Sequence, residues 1–291
     1  MVRSLAKQEK LYKIISDRDY SFYKEFGLSV QKPSASIGQD IRDPVPDFIF
    51  TGTSYTSKIE LAYIKEGIAR GISTYAFVDH WTNIRERFDN KGMEVFPKKI
   101  CVIDQRAKEI ALKQGIEEDR ILVTGNPFQD YLRSWHPVTN KKEFFEKQGI
   151  DIKNKKIIVF APDPLSNVDG KIKFGFDEVQ VITELNELID DILKEHIFIF
   201  KPHPNQDLTR LNKEFLDKIV VADQTIENNS LIYHSDFIVG FFSSYLIEAD
   251  IMKKKVLRYL PDHFINDPFM DSAIGTIVNS KNFLENLNHQ L

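Results

Sequence analysis

The chain's apolar and reactive residues meet abruptly in one stretch, Ile-Phe-Ile-Phe-Lys-Pro-His-Pro, which ends at Pro204. Four apolar residues, two of them β-branched and two aromatic, predict a short buried strand over 197–200, with His196 outside it. Pro202 and Pro204 fix their own φ and keep Lys201 and His203 out of the helical region, so the strand must stop there. A cation and an imidazole then stand on a stiff turn at a strand's carboxyl end, which is where open α/β sheets bind ligands. A surface turn that happens to carry a histidine is the plainer alternative. A second stretch forty residues on argues against it. Ser243-Ser244 lies between an apolar run at 236–239 and a helical pattern from about 245 to 252. Two hydroxyls and the free N–H groups of a helix start suit a phosphate or diphosphate. Taken alone, the serine pair is better explained by ordinary N-capping, and only its pairing with Lys201 and His203 favours a phosphate. Glu248 falls on the turn facing that helix start, where a carboxylate can take a pair of sugar hydroxyls. Lys201 or a protonated His203 could neutralise charge building on a departing phosphate.

A third group, Asp79-His80-Trp81-Thr82-Asn83, follows an apolar run at 73–78. Acid and imidazole at a strand end could take a proton from a hydroxyl. A helix start capped by Asp79, with Trp81 packed beneath it, is the structural alternative. No carboxylate cluster has the form of a metal cage, so no metal or other cofactor is expected. No Gly-x-Ser-x-Gly elbow occurs. The loop at 51–57 lacks the Gly-Lys-Ser/Thr ending of a P-loop.

These groups need strand ends to hold them, and the pattern supplies strands. Strands are predicted at 47–51, 73–78, 99–103 and 120–123, with helices at 58–70, begun by Ser57, and at 105–114. A weaker helical pattern covers 8–15. After a Lys-rich, Pro-bearing stretch, a second alternation begins with strands at 156–160 and 197–200 and a strongly periodic helix at 178–194 between them. Further strands fall at 219–222, 236–239 and 256–259. Strand–helix alternation of this kind implies parallel sheets. The fold class expected is α/β, two Rossmann-like domains facing a cleft, the first of them short. The domains are placed at residues 1–140, on the acceptor side, and 141–291, on the nucleotide-donor side.

Composition excludes several alternatives. A net charge of −4 gives no general attraction to nucleic acid or to an anionic membrane. A single cysteine, Cys101, rules out an intrachain disulfide and multi-cysteine metal sites. No apolar run approaches the length needed to span a bilayer, and the start of the chain has no signal-peptide pattern. A cytoplasmic location is expected, with peripheral contact to the inner membrane left open.

The order Thr-Gly-Asn-Pro, Lys-Pro-His-Pro and Ser-Asp-Phe-x-Val-Gly-Phe-Phe-Ser-Ser, with Glu-Ala downstream, resembles the GT-B superfamily over roughly residues 47–260. Within it the chain is most similar to bacterial surface-polysaccharide enzymes, the CDP-glycerol glycerophosphotransferases and the capsule sialyl- and Kdo-transferases. That resemblance implies that His203 with Pro204, and Ser243 with Ser244, bind the nucleotide's phosphate and assist the leaving group. The segment at 123–127 also resembles the Gly-Asn element of UDP-N-acetylglucosamine 2-epimerases, which implies a nucleotide-binding role for Gly125 and Asn126. Two features depart from the GT-B pattern: a Gly-rich first strand–loop and an acidic acceptor-base motif are both absent. Asp79 and His80 are proposed as base by position alone. The expected function is transfer of a sugar or polyol phosphate from a CMP-, CDP- or UDP-linked donor to a cell-surface glycan. The alternatives are a nucleotide-sugar 2-epimerase or hydrolase of the same fold, and a non-catalytic relative that binds glycan or nucleotide.

Overall fold

The computed structural model describes residues 12–17, 27–54, 57–269 and 273–288. The chain divides into two compact units, residues 1–127 and 128–291. The boundary expected from composition, at 140/141, falls further along the chain. The intervening Trp135 and His136 pack against Tyr233, a second-unit residue.

The first unit opens with a short parallel pair, β1 (Ile14–Ile15) and β2 (Val30–Gln31). Within the described residues, therefore, 14–15 is strand and not the end of the helix expected over 8–15; the rest of that helix lies outside them. Two β-branched isoleucines pair more readily than they continue a weak helical pattern. The main sheet has four parallel strands, β3 (Phe48–Thr51), β4 (Ser73–Val78), β7 (Lys99–Val102) and β8 (Ile121–Val123), in the order β3-β4-β7-β8. A small antiparallel pair, β5 (Asp89–Asn90) and β6 (Met93–Glu94), sits in the connection after β4. Helices Ile59–Ala69 and Gln105–Lys113 cover the sheet. Ile64, Val78, Ile100, Val102 and Ala107 form its fully buried core. Asp104 caps the second helix by accepting from Ala107 N. The first helix has no side-chain cap of that form: Ser57 Oγ accepts from Ile59 N at 3.4 Å and donates to Asp17 Oδ2 at 2.9 Å.

Among the described residues, the second unit contains six parallel strands: β9 (Lys156–Phe160), β10 (His196–Phe200), β11 (Val220–Val221), β12 (Phe237–Gly240), β13 (Lys255–Tyr259) and β14 (Thr276–Val278). Their order is β11-β10-β9-β12-β13-β14. Counted from β9, this is the doubly wound order 3-2-1-4-5-6, whose direction reverses between β9 and β12. The crevice at that reversal is where such sheets hold ligands. The helix Glu178–Glu195 packs on the sheet through Val181, Ile182, Leu185, Ile189 and Ile192, all buried. Phe160, Phe198, Phe200, Phe215 and Phe241 supply much of the remaining core.

Two expectations need correction here. His196 belongs to β10, buried and opposite Lys156, and is not a flanking residue. Its ring nitrogen Nδ1 lies 3.2 Å from Ile192 O, and this contact offsets part of the cost of burying it. The strand β14 was not expected after 256–259. It is a three-residue edge strand with Thr276 and Ile277 exposed, too short for a periodic signal.

Candidate functional site

The His-Pro turn begins where β10 runs out. Lys201 N donates to Phe160 O at 2.8 Å, which extends the ladder by one bond, and Pro202 then ends it by lacking an N–H. The turn closes on His203. Its carbonyl accepts from Gln206 N at 2.8 Å, and its Nδ1 accepts from Asn205 N at 3.1 Å. An Nδ1 used as acceptor leaves the proton of the neutral ring on Nε2. Burial, and then the Lys201 charge, hold the ring's pKa below the usual histidine value. The neutral ring of His203 is thus a donor through Nε2, with the charge of Lys201 beside it.

The serine turn begins at the end of β12. Gly240 is required by a close approach, since a Cβ there would stand 2.7 Å from Ala161 O, at the end of the neighbouring β9. Phe241 turns into the core against Phe160 and Phe176, and Phe242 N donates to Asp163 Oδ2 at 2.9 Å. Ser243 occupies the N-cap position of the helix Ser244–Ile251 with extended backbone, yet its hydroxyl makes no capping bond. That Oγ is buried and has no hydrogen-bond partner. Capping therefore does not account for the residue. Ser244 is exposed at the first helical position. A free hydroxyl and unpaired N–H groups at a helix start form a receptor for an anion.

Lys201 joins the two turns. Its Nζ lies 5.2 Å from the centre of the Tyr245 ring, on the helix that follows the serines, a cation–π distance. Burial lowers its pKa, and the charge of Glu248 partly restores it. Burial pushes Glu248 up to about 7, against the pull of Lys201. The phenol of Tyr245 is buried, has no hydrogen-bond partner, and is held well above its ordinary pKa by that burial. One cation thus serves several buried groups that are only partly satisfied by the protein.

Asp163 and Tyr245 carried no role in the sequence reading. Asp163 follows β9, the strand between the two turns, and its carboxyl is pushed up by burial against the hydrogen bond from Phe242 N. The available signal was Ala-Pro-Asp-Pro, which brackets a polar residue with prolines at a strand end just as Lys-Pro-His-Pro does.

The remaining candidates lie in the first unit, at the carboxyl ends of its own strands. No helix starts at Asp79. Its exposed carboxylate pairs with Arg87 Nη1 at 3.0 Å, and the same nitrogen donates to Thr53 O at 2.9 Å. His80 Nδ1 accepts from Thr82 N at 3.2 Å, so its proton too falls on Nε2. Burial lowers its pKa; Asp79 opposes this, and Arg87 and Arg106 reinforce it. A ring in that tautomer donates outward and has no outward lone pair for a base. Trp81 Nε1 donates to Asp104, and Arg106 lies 5.0 Å over the indole. Gly125 has φ +77, a left-handed turn after β8 that admits glycine at no steric cost. Asn126 follows it. Among the described residues, no three His, Cys, Asp or Glu side chains converge in the manner of metal ligands.

The α/β architecture with parallel sheets is that of a GT-B-like fold, and comparison with known proteins shows the family. The chain belongs to the CDP-glycerol:poly(glycerophosphate) glycerophosphotransferase family, whose model matches residues 105–288. It is similar to the teichoic acid ribitol-phosphate polymerase TarK of Staphylococcus aureus, 26% identical over 176 residues, covering 57% of this chain and 33% of that protein. The chain spans about a third of the length of the curated relatives it matches. The UDP-GlcNAc 2-epimerase of Methanocaldococcus jannaschii shares the fold, with a TM-score of 0.70 at 19% identity, over 99% of this chain and 87% of that one. The same enzyme in complex with UDP-GlcNAc and UDP aligns at a TM-score of 0.61, 19% identity, over 99% and 88%.

Proposed function

We propose that the chain transfers a polyol phosphate, or a sugar, from a nucleotide-activated donor to a cell-envelope glycan, and that its second unit holds the donor's diphosphate. The observation that carries this reading is the buried, unpartnered hydroxyl of Ser243 at a helix start to which Lys201 reaches from the His-Pro turn. The family description and the name of the S. aureus relative favour a CDP-linked polyol over a sugar. For such a donor, an acceptor hydroxyl oxygen attacks the polyol-bearing phosphorus. The P–O bond to the nucleotide breaks, CMP leaves with the electron pair, and the acceptor's proton passes to a base. Lys201, the Nε2–H of His203 and the start of the Ser244–Ile251 helix would stabilise the charge that develops on CMP. Pro204 keeps the His203 turn rigid, and Glu248 would take donor hydroxyls. In the first unit, Gly125 and Asn126 are assigned to nucleotide contact. Asp79 is preferred to His80 as the base, because a carboxylate paired on one side keeps lone pairs for an incoming hydroxyl.

A nucleotide donor places this reaction in the cytoplasm, and an envelope acceptor calls for peripheral contact with the inner membrane. Among the described residues, no helix is long and apolar enough to cross a bilayer. The test is a thermal-shift panel of CMP, CDP, UDP and GDP with their polyol and sugar conjugates, followed by assay of CMP release. A ligand at a hundredfold excess over its Kd stabilises by about 2.7 kcal/mol. Stabilisation by cytidine nucleotides with CMP release from a CDP-polyol supports the reading. Stabilisation by UDP-sugars alone, with epimerisation or hydrolysis in place of transfer, overturns it.

A further inference from the structure

We propose that Glu178 and Gln206 are positioning residues that determine which nitrogen of His203 carries the proton. The inference rests on the proposed function only for its effect on rate. Two backbone N–H groups shape the His203 turn: Asn205 N on the ring's Nδ1 and Gln206 N on the carbonyl. Both residues are anchored to the same short turn, Leu165–Val168, which follows β9. Asn205 O accepts from Asn167 Nδ2 at 2.9 Å. Gln206 Nε2 donates to Glu178 Oε1 at 3.0 Å, and Glu178 accepts from Ser166 N at 2.8 Å and Ser166 Oγ at 2.6 Å.

Glu178 is fully buried, and Gln206 nearly so. A buried carboxylate is costly unless its oxygens are satisfied. Glu178 has three donors and the start of the Glu178–Glu195 helix. A hydrophobic side chain would fill the same space without that cost, so the carboxylate needs a reason specific to what it holds. What it holds is the residue next to the Asn205 N–H that occupies His203 Nδ1. Loosening Gln206 frees that N–H to drift, and Nδ1 then competes for the proton. A ring with its proton on Nδ1 presents a lone pair, and not an N–H, to a departing phosphate.

The test reads the ring directly. Imidazole 15N–1H correlation at pH 8, with the His203 signals among the seven histidines assigned by their loss in His203→Ala, reports the tautomer. The wild type should show a single Nε2–H form. In Gln206→Ala the two nitrogen shifts should converge towards the values of a mixed ring. CMP release should fall about tenfold or more in kcat, with donor KM changed less than twofold, as for a contact made only in the transition state. Glu178→Gln should behave likewise, since its amide puts a donor against Ser166 or Gln206. If it does not fold, Ser166→Ala replaces it. Ser235→Ala, which removes a buried bond to Leu231 O elsewhere in the unit, controls for loss of stability alone and should leave the His203 signals unmoved. Unchanged His203 shifts in Gln206→Ala overturn the proposal, as does a mixed ring with unaltered kcat. If the wild type releases no CMP from any donor, the reading of the reaction fails, and the tautomer measurement still decides this inference.

Discussion

Lys201 and Glu248 carry the opposite charges of the proposed donor site. Lys201 lies beside Tyr245 on the helix after the serines, and burial pushes the carboxyl of Glu248 up to about 7. Lys201→Ala should weaken nucleotide binding about ten- to a hundredfold, the range for a lost charge-assisted hydrogen bond. The loss should shrink with added salt, as titration calorimetry at two ionic strengths would show. Glu248 makes a separate prediction about stability. Its folded pKa of about 7 lies above the ordinary 4.5, so the folded state binds more protons between those values. Its contribution is fully present below pH 4.5 and is lost as pH rises to 7, at most on the order of 3 kcal/mol. Melting curves of Glu248→Gln should lack this part of the decline between pH 5 and 8. An identical decline in both proteins would show that the group is not buried in this way. The turns that carry Lys201, His203 and the serine pair were legible in sequence because prolines and a glycine mark them. The Nε2–H tautomer of His203 was not, because it depends on Asn205 N, which only the folded turn provides.

At the scale of elements, the carboxyl ends of β9, β10 and β12 act as one platform. The loop after β9 ties down both its neighbours, through Asp163 to Phe242 N and through Ser166, Glu178 and Gln206 to the His203 turn. Gly240 sets the closeness of β9 and β12. Gly240→Ala should force the Ala161 carbonyl aside and lower stability by about 1–3 kcal/mol, the usual cost of overpacking. Nucleotide affinity should fall with it, measured by denaturant melts beside calorimetry. Retained affinity with lowered stability would mean that the serine turn does not depend on this approach. The strands themselves were readable from apolar runs such as 156–160 and 236–239, which β-branched and aromatic residues dominate. Strand order was not, because it is a property of long-range pairing. Without it, the reversal between β9 and β12 and the central place of Asp163 stayed hidden. No helix starts at Asp79 for a related reason. Asp79 has the type of an N-cap, but Arg87 and Thr53, distant in sequence, claim that corner.

For the whole molecule, each unit is a parallel α/β layer with polar residues at the carboxyl ends of its strands, and the family match spans residues 105–288. Hydrogen exchange with and without a cytidine nucleotide should show protection concentrated at 161–166, 201–206 and 241–248. Protection spread evenly over the second unit would indicate general stabilisation and no localised site. The central claim is that the His-Pro and serine turns together hold a donor phosphate and assist its departure. The most direct measurement is CMP release from a CDP-polyol by wild type and His203→Ala, with melting curves of both. Turnover should fall about a hundred- to a thousandfold, as when one preorganised donor is lost from a transition state, while the melting temperature stays close to that of wild type. A His203→Ala protein that melts like the wild type and keeps its full rate would contradict the account.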